Sequence, residues 1–223
     1  MREAAQSSEG RRASAMVDFP AAIEARAHRI AVMSALDLSA LKSPFERIGR
    51  MARALLGGGL GDVILINGDE TWHASADAGF SRQIAAHRSF AGLAVESEDV
   101  MWVVDARLDP RFADHPYVIA EPFVRFFAGA PIRLADGSAV GAVVVAGPEV
   151  CAYDESLAAC LRDLAAMAAG ECSRHQAVSD LAQAHLKAQA AQTLMATFVE
   201  TAPVALCLTD ADMRIIQASP QWR

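Results

Sequence analysis

The residues best placed for chemistry lie in an apolar run, VRFFAGAPIRL (124–134), which carries Arg125, Arg133 and Pro131. A guanidinium is a planar fork of N–H donors, so either arginine could grip an anionic ligand. The same side chains also have a structural use. A buried arginine without a carboxylate partner is costly, and Asp105, Asp109 and Asp114 in the loop-like stretch DARLDPRFADHPYV (105–118) are the nearest carboxylates in the pattern. The expectation is a clamp in which Arg125 or Arg133 pairs with those aspartates and fixes the crossing, with ligand binding as the competing role.

Other reactive residues are scattered. One histidine suffices as an axial haem ligand, and His73, His87 and His115 are the candidates, though surface or loop placement is expected for each. Cys172 and His175 share one helical face and make half a metal site, with no second pair of matching spacing. Cys151, Cys160, Cys172 and Cys207 show no CxxC spacing and read as buried, reduced thiols. The run GGGLGD (57–62) has the glycines of a phosphate cradle. Such a cradle follows a strand and opens a helix; here a helical pattern precedes it and an apolar strand follows, as at a helix C-cap. None of these groups forms a catalytic constellation, and no catalysis is expected of this chain.

Bulk properties narrow the class. A net charge of −7 and a pI near 5.3 argue against a nucleic-acid surface. Hydrophobic residues at 53% and charged ones at 21% fit a packed core. The longest apolar run, near Val143–Ala146, is far below the ~18 residues of a membrane span. The opening MREAAQSSEGRRAS is polar, without the apolar segment of a signal peptide. A cytoplasmic location is expected.

The elements that must position these residues can be read in order. Residues 1–17 read as a disordered tail. A helix follows Asp18, with Ile23, Ala27, Ile30 and Met33 or Ser34 at helical spacing. Ser43-Pro44-Phe45-Glu46 has the form of a capping box opening a second helix, whose stripe is Ile48, Met51, Ala52, Leu55 and Leu56. Strands over Val63–Ile66 and Thr71–Ala78 flank an Asn-Gly turn. A short helix at Ser89–Val95 and a strand at 101–105 come next. The opening run then pairs with Ala139–Ala146 across Ala135-Asp136-Gly137. Alternation places Arg125, Phe127, Gly129, Pro131 and Arg133 on one face, and the uniformly apolar Phe126, Ala128, Ala130, Ile132 and Leu134 on the other. From Asp154 a long Ala-rich helix runs to about Phe198, and Thr201–Arg223 reads as strand, turn, strand. The whole is α+β, an antiparallel sheet flanked by helices.

Residues 18–170 resemble a GAF domain of the bacterial signalling type. The likeness rests on Phe45-Glu46-Arg47-Ile48, Arg88-Ser89-Phe90, VVDARLDPRFADHPYV (103–118), VRFFAGAPIRLADG (124–137) and VGAVVVAG (140–147). Residues 199–223, with FVETAPVALCLTDADMRIIQASPQW (198–222), resemble the truncated start of a PAS domain, with Ser219 where many members carry asparagine. The helical linker is then 171–198.

The resemblance implies a sensory input region of a signalling receptor, with a histidine kinase or diguanylate cyclase as output. It also implies a small-molecule pocket between the sheet and the short helix. By family position Trp72, Phe90, Trp102, Tyr117, Phe126 and Phe127 would line it, with Arg125 and Arg133 as polar candidates; core filling is the alternative for the aromatics. No cysteine stands in AHRSFA (86–91), so a covalent bilin is not expected, and the cofactor stays unknown. Cysteine placement disfavours the methionine sulfoxide reductases of this family, and the NKFDE pattern of cyclic-nucleotide binders is absent. Along the long helix Leu164, Met167, Glu171, Arg174, Val178, Leu181, His185, Ala188, Gln192, Met195 and Val199 trace a partly polar seam. A weak parallel homodimer through its distal half is expected, with Leu157, Leu161 and Leu164 docked on the GAF-like domain. A structural dimerisation module with a collapsed pocket is the alternative.

Overall fold

The structure, a computed structural model, describes residues 19–75, 84–201, 203 and 205–222. The expected tail and the end of the strand expected at Thr71–Ala78 fall outside these residues. The chain divides into two units, one reaching His175 and one beginning at Gln176.

In the first unit, α1 (Phe19–Ala35) and α2 (Leu38–Leu55) lead into β1 (Leu60–Asn67) and β2 (Glu70–His73). A 3-10 turn (Ala86–Arg88), α3 (Phe90–Val95), β3 (Met101–Val103) and α4 (Pro116–Ile119) follow. Then come β4 (Phe126–Arg133), β5 (Ala139–Gly147) and α5 (Glu155–Thr201). The strands form one antiparallel sheet in the order β2-β1-β5-β4-β3.

Helix α2 begins earlier than its sequence announces. Asp37 caps it, its Oδ1 accepting from the Ser39 N–H at 3.0 Å and the Ala40 N–H at 3.4 Å, and Pro44 lies inside the helix. The Ser43 capping box is therefore not the start, because an aspartate cap with a serine two residues on outcompetes it upstream. The buried face is Leu41, Phe45, Ile48, Gly49 and Ala52, whereas Met51 and Leu55 of the expected stripe are exposed. On α1 Ile30 is likewise exposed and Met33 buried. The glycine run lies between a helix and a strand, in that order, and Gly57, Gly58 and Gly59 all have positive φ, which favours glycine. Gly61 has a different reason: a Cβ there would come within 2.7 Å of the Arg53 main-chain nitrogen, so its bare backbone lets α2 lie directly on β1.

The alternation expected for β4 holds. Phe126, Ala128, Ala130 and Ile132 join Val63, Leu65, Val143 and Val145 in a core closed by Phe45 and Ile48 of α2 and Leu161 and Leu164 of α5. Phe127 turns to the other face, with Ile64, Val144, Phe90 of α3 and Phe112 of the loop. Strand β3 pairs only with Phe127–Gly129, so Pro131, which lacks a ladder N–H, lies beyond the end of that neighbour. In α5 Leu161 and Leu164 are buried and Leu157 packs against the same core.

The second unit holds the rest of α5, then β6 (Cys207–Thr209) and β7 (Ile215–Ala218) as an antiparallel pair. Ser219 is fully buried: its Oγ accepts from the Leu206 N–H at 2.9 Å and its N–H donates to the Leu206 carbonyl at 2.8 Å. Gln217 Nε2 donates to the Ala196 carbonyl at 3.4 Å, tying β7 to the helix. Among the described residues no helix is long and apolar enough to cross a membrane.

Candidate functional site

Helix α3 is short and is set against the sheet by two local devices. Ser89 caps it, its Oγ accepting from the Gly92 N–H at 2.9 Å while donating to the Ala86 carbonyl at 2.9 Å. Gly92 lets the helix meet the preceding 3-10 turn, since a Cβ there would fall 1.7 Å from the Ala86 oxygen. Phe90 is thereby laid on Phe127, with ring centroids 4.6 Å apart and planes at 17°. Phe112 stacks on Phe90 as well, at 4.6 Å and 29°, and the His115 ring lies 4.3 Å from it.

Beside this stack is a narrow cavity lined by Ile64, Thr71, His73, Ile84, Ser89, Phe90, Ala91, His115, Tyr117, Phe127 and Val144. The space open to the centre of a water molecule is about 20 Å³, which is room for roughly one water.

Two polar groups shape it. His115 is only 4% exposed; its Nδ1 accepts from the Tyr117 N–H at 3.2 Å and so caps α4. A neutral ring with an accepting Nδ1 carries its proton on Nε2, and among the described residues Nε2 has no hydrogen-bond partner. Burial, with a smaller push from the Arg88 charge, lowers the imidazole pKa to about 4; Asp114 and the Arg88 main chain oppose this weakly. The second group is a relay. Asp62, fully buried, receives the Val63 N–H at 2.8 Å and the Ser75 N–H at 3.2 Å, and its Oδ2 lies 2.9 Å from His73 Nδ1. His73 Nε2 lies 3.2 Å from Thr71 Oγ1. Burial raises the Asp62 pKa above the usual carboxylate range, against the lowering effect of those hydrogen bonds.

The residues singled out from sequence divide between the faces. Phe90, Tyr117 and Phe127 line the cavity. Trp72 packs edge-on to Phe45 at 6.2 Å, and Trp102 lies against Phe126 and Tyr153 with its Nε1 donating to the Cys151 carbonyl at 3.2 Å. Both belong to the helix-facing core, with Phe126, because neighbours along a strand point to opposite faces.

Arg125 pairs with Asp105 through Nη2 and, at 3.3 Å, through Nε. This hydrogen bond holds the Asp105 carboxyl below its ordinary pKa. Of the two arginines expected as the clamp, Arg125 is the one that pairs with a loop aspartate; Arg133 donates to the Ser97 carbonyl at 2.6 Å and the Gly137 carbonyl at 3.4 Å, since its exposed end of β4 faces loop main chain rather than loop carboxylates. Asp109 instead holds Arg111.

Of the three histidines expected on the surface or in loops, His87 is exposed and bonded to Asp69, His115 lies in the loop before α4 but is buried there by its capping role, and His73 departs from the expectation, half-buried on β2. Cys172 is core, its thiol pKa pushed up to about 11 by burial, and His175 Nε2 accepts from the Asp37 N–H at 3.3 Å. Cys160 is exposed and Cys151 and Cys207 half-buried, so uniform burial of the cysteines is not seen. Sequence reading missed Asp62 and the role of His115. A lone aspartate opening the apolar strand Asp62-Val63-Ile64-Leu65-Ile66 was the available sign of the first.

No protein-family model matches the chain. A 101-residue stretch, 45% of the chain, is 35% identical to the cyclic di-GMP phosphodiesterase PA2567 of Pseudomonas aeruginosa and spans 17% of that protein's length. Among solved structures, the GAF domain of a phosphoenolpyruvate-protein phosphotransferase from Coxiella burnetii superposes over 63% of this chain and 86% of its own, with TM-score 0.52 and 19% identity. The fold is GAF-like. The blue-light-absorbing PixJ GAF domain from Thermosynechococcus elongatus superposes over 66% of this chain and 94% of its own, at TM-score 0.52 and 17% identity. A third GAF domain, from an Acinetobacter phosphoenolpyruvate-protein phosphotransferase, covers 70% of this chain and 95% of its own, at TM-score 0.52 and 15% identity.

Proposed function

We propose that this chain is the sensory input region of a bacterial signal-transduction protein: a GAF-like domain over 18–170, a helical linker over 171–198 and the start of a PAS domain from 199. It works without catalysis of its own, passing a ligand- or partner-dependent change along α5, paired with a second copy, to an output domain. The observation that carries this reading is the division of labour across the GAF-like sheet. One face holds an aromatic cavity with a buried donor that has no hydrogen-bond partner among the described residues, and the other holds the docked start of a 47-residue helix. Leu181, Leu186, Leu194 and Phe198 of that helix leave large apolar side chains exposed, which favours a partner helix. The likeness to PA2567 supports an output that makes or breaks cyclic di-GMP over a histidine kinase.

Native mass spectrometry and sedimentation equilibrium of the chain purified from cells test the proposal. A dimer carrying a small molecule is expected; an empty monomer at tens of micromolar would sink it. A second reading, a ligand-free dimerisation module, draws on the cavity's small size, and an empty dimer would favour it.

A further inference from the structure

We infer that the cavity beneath α3 takes an uncharged, flat molecule that offers a hydrogen-bond acceptor to His115 Nε2–H. The inference rests on the sensory reading and adds the chemistry of the ligand.

His115 is an interior donor without a well-formed acceptor: 4% exposed, with Nδ1 committed to the Tyr117 N–H and no partner within hydrogen-bond geometry at Nε2 among the described residues. The Arg88 main chain is near enough to favour the proton slightly without completing a hydrogen bond. A buried N–H in this state gains from any acceptor that reaches it, and Nε2 belongs to a ring that forms part of the cavity wall. The described part of that wall disfavours charge. Among the described residues no Lys, Arg, Asp or Glu lines it, and burial keeps His115 itself neutral near pH 7. An anion or cation would leave water for a wall whose described residues include no Lys, Arg, Asp or Glu, with the exposed Arg88 guanidinium acting on His115 only from outside the lining, a poorly compensated loss of hydration. At the rim, Asp62 is already engaged by His73 Nδ1 and two main-chain N–H groups.

Shape follows from the remaining lining. Phe90 and Phe127 present aromatic surface, and Ile64 and Val144 floor the cavity with aliphatic carbon. Planar groups lie well on such walls. The space open to the centre of a water molecule fits about one water, so a ring-sized ligand must displace lining side chains, which makes binding itself a conformational signal.

Three probes of one shape separate the terms: acetophenone (neutral, with an acceptor), α-methylstyrene (the same outline with C=CH₂ for C=O) and benzoate (the anion). The full chain, labelled with ¹⁵N-histidine, is titrated with each and followed by NMR. Acetophenone should bind in the millimolar range and move the His115 Nε2 resonance, with α-methylstyrene at least tenfold weaker and benzoate without effect. His115→Asn keeps an oxygen for the Tyr117 N–H but lacks the reach of Nε2, and should erase the tenfold preference. Equal binding of α-methylstyrene, tighter binding of benzoate, or no binding of acetophenone to the wild type overturns the inference. Should the variant fail to fold, the wild-type ranking decides alone. The sensory reading stands or falls separately: a charged molecule co-purifying with the dimer would refute this chemistry and keep that reading, whereas an empty monomer would refute the reading itself.

Discussion

At His115 one ring caps a helix with Nδ1 and leaves Nε2–H in the interior, and that burial has a measurable pH signature. An imidazole in the unfolded chain takes up its proton near pH 6.5, whereas the native one does so only at about 4. The associated stability is complete above pH 6.5 and is lost as pH falls toward 4, because protons then favour the unfolded state. Between pH 7 and 5, urea denaturation should show the wild type losing about 2 kcal/mol more than His115→Asn. Arg125 offers a second test at this scale. Its pairing with Asp105 joins β4 to the start of the loop, so Arg125→Ala should lower the melting temperature by about 2–4 °C without any ligand. The loss should shrink in 1 M salt, because the pair is partly solvated. The carboxylate partner of Arg125 was legible from sequence as one of three loop aspartates. The carbonyl partners of Arg133 were not, because main-chain acceptors leave no trace in residue identity.

Helices and strands were legible where a single local signal dominated. The Gly68-Asp69 turn between β1 and β2, the Ser89 cap of α3 and the β4–β5 hairpin all come from short-range chemistry. The start of α2 misled because two caps compete within six residues of chain, and the Asp37 main chain also receives support from His175 across a long sequence separation. Family position alone points Trp72 and Trp102 to the pocket, but the face each occupies depends on strand register, which identity does not set. The seating of α3 gives the element-scale prediction. Gly92→Ala would drive a methyl into the Ala86 carbonyl, and main chain cannot swing aside as a side chain can. A loss of at least about 2 kcal/mol is expected in urea denaturation, with weakened Phe90–Phe127 packing seen as ring-current changes by NMR.

For the molecule as a whole, α5 is the element whose role depends on more than its own unit. Its first turns are docked by Leu161 and Leu164, while Leu181 and Phe198 stand more than 60% exposed. If a second copy covers the distal stretch, Leu181→Glu with Phe198→Glu should raise the dimer dissociation constant about tenfold or more in sedimentation equilibrium, leaving the melting of the GAF-like unit unchanged.

One property of β4 sets how the gene can change. Phe126 and Phe127 are adjacent in the chain yet serve opposite sides of the sheet, one toward the helices and one toward the cavity. Deleting any single codon within 126–133 would exchange those assignments for every later residue of the strand, placing cavity residues against α5 and helix-facing residues under α3. The turn at 135–138, exposed and held by local bonds, has no such parity to keep. In a library of one-codon insertions and deletions, survivors should therefore be depleted across β4 and recover abruptly at the turn. Drift in length should be confined to the loops, and the strand between cavity face and helix face should evolve only by substitution.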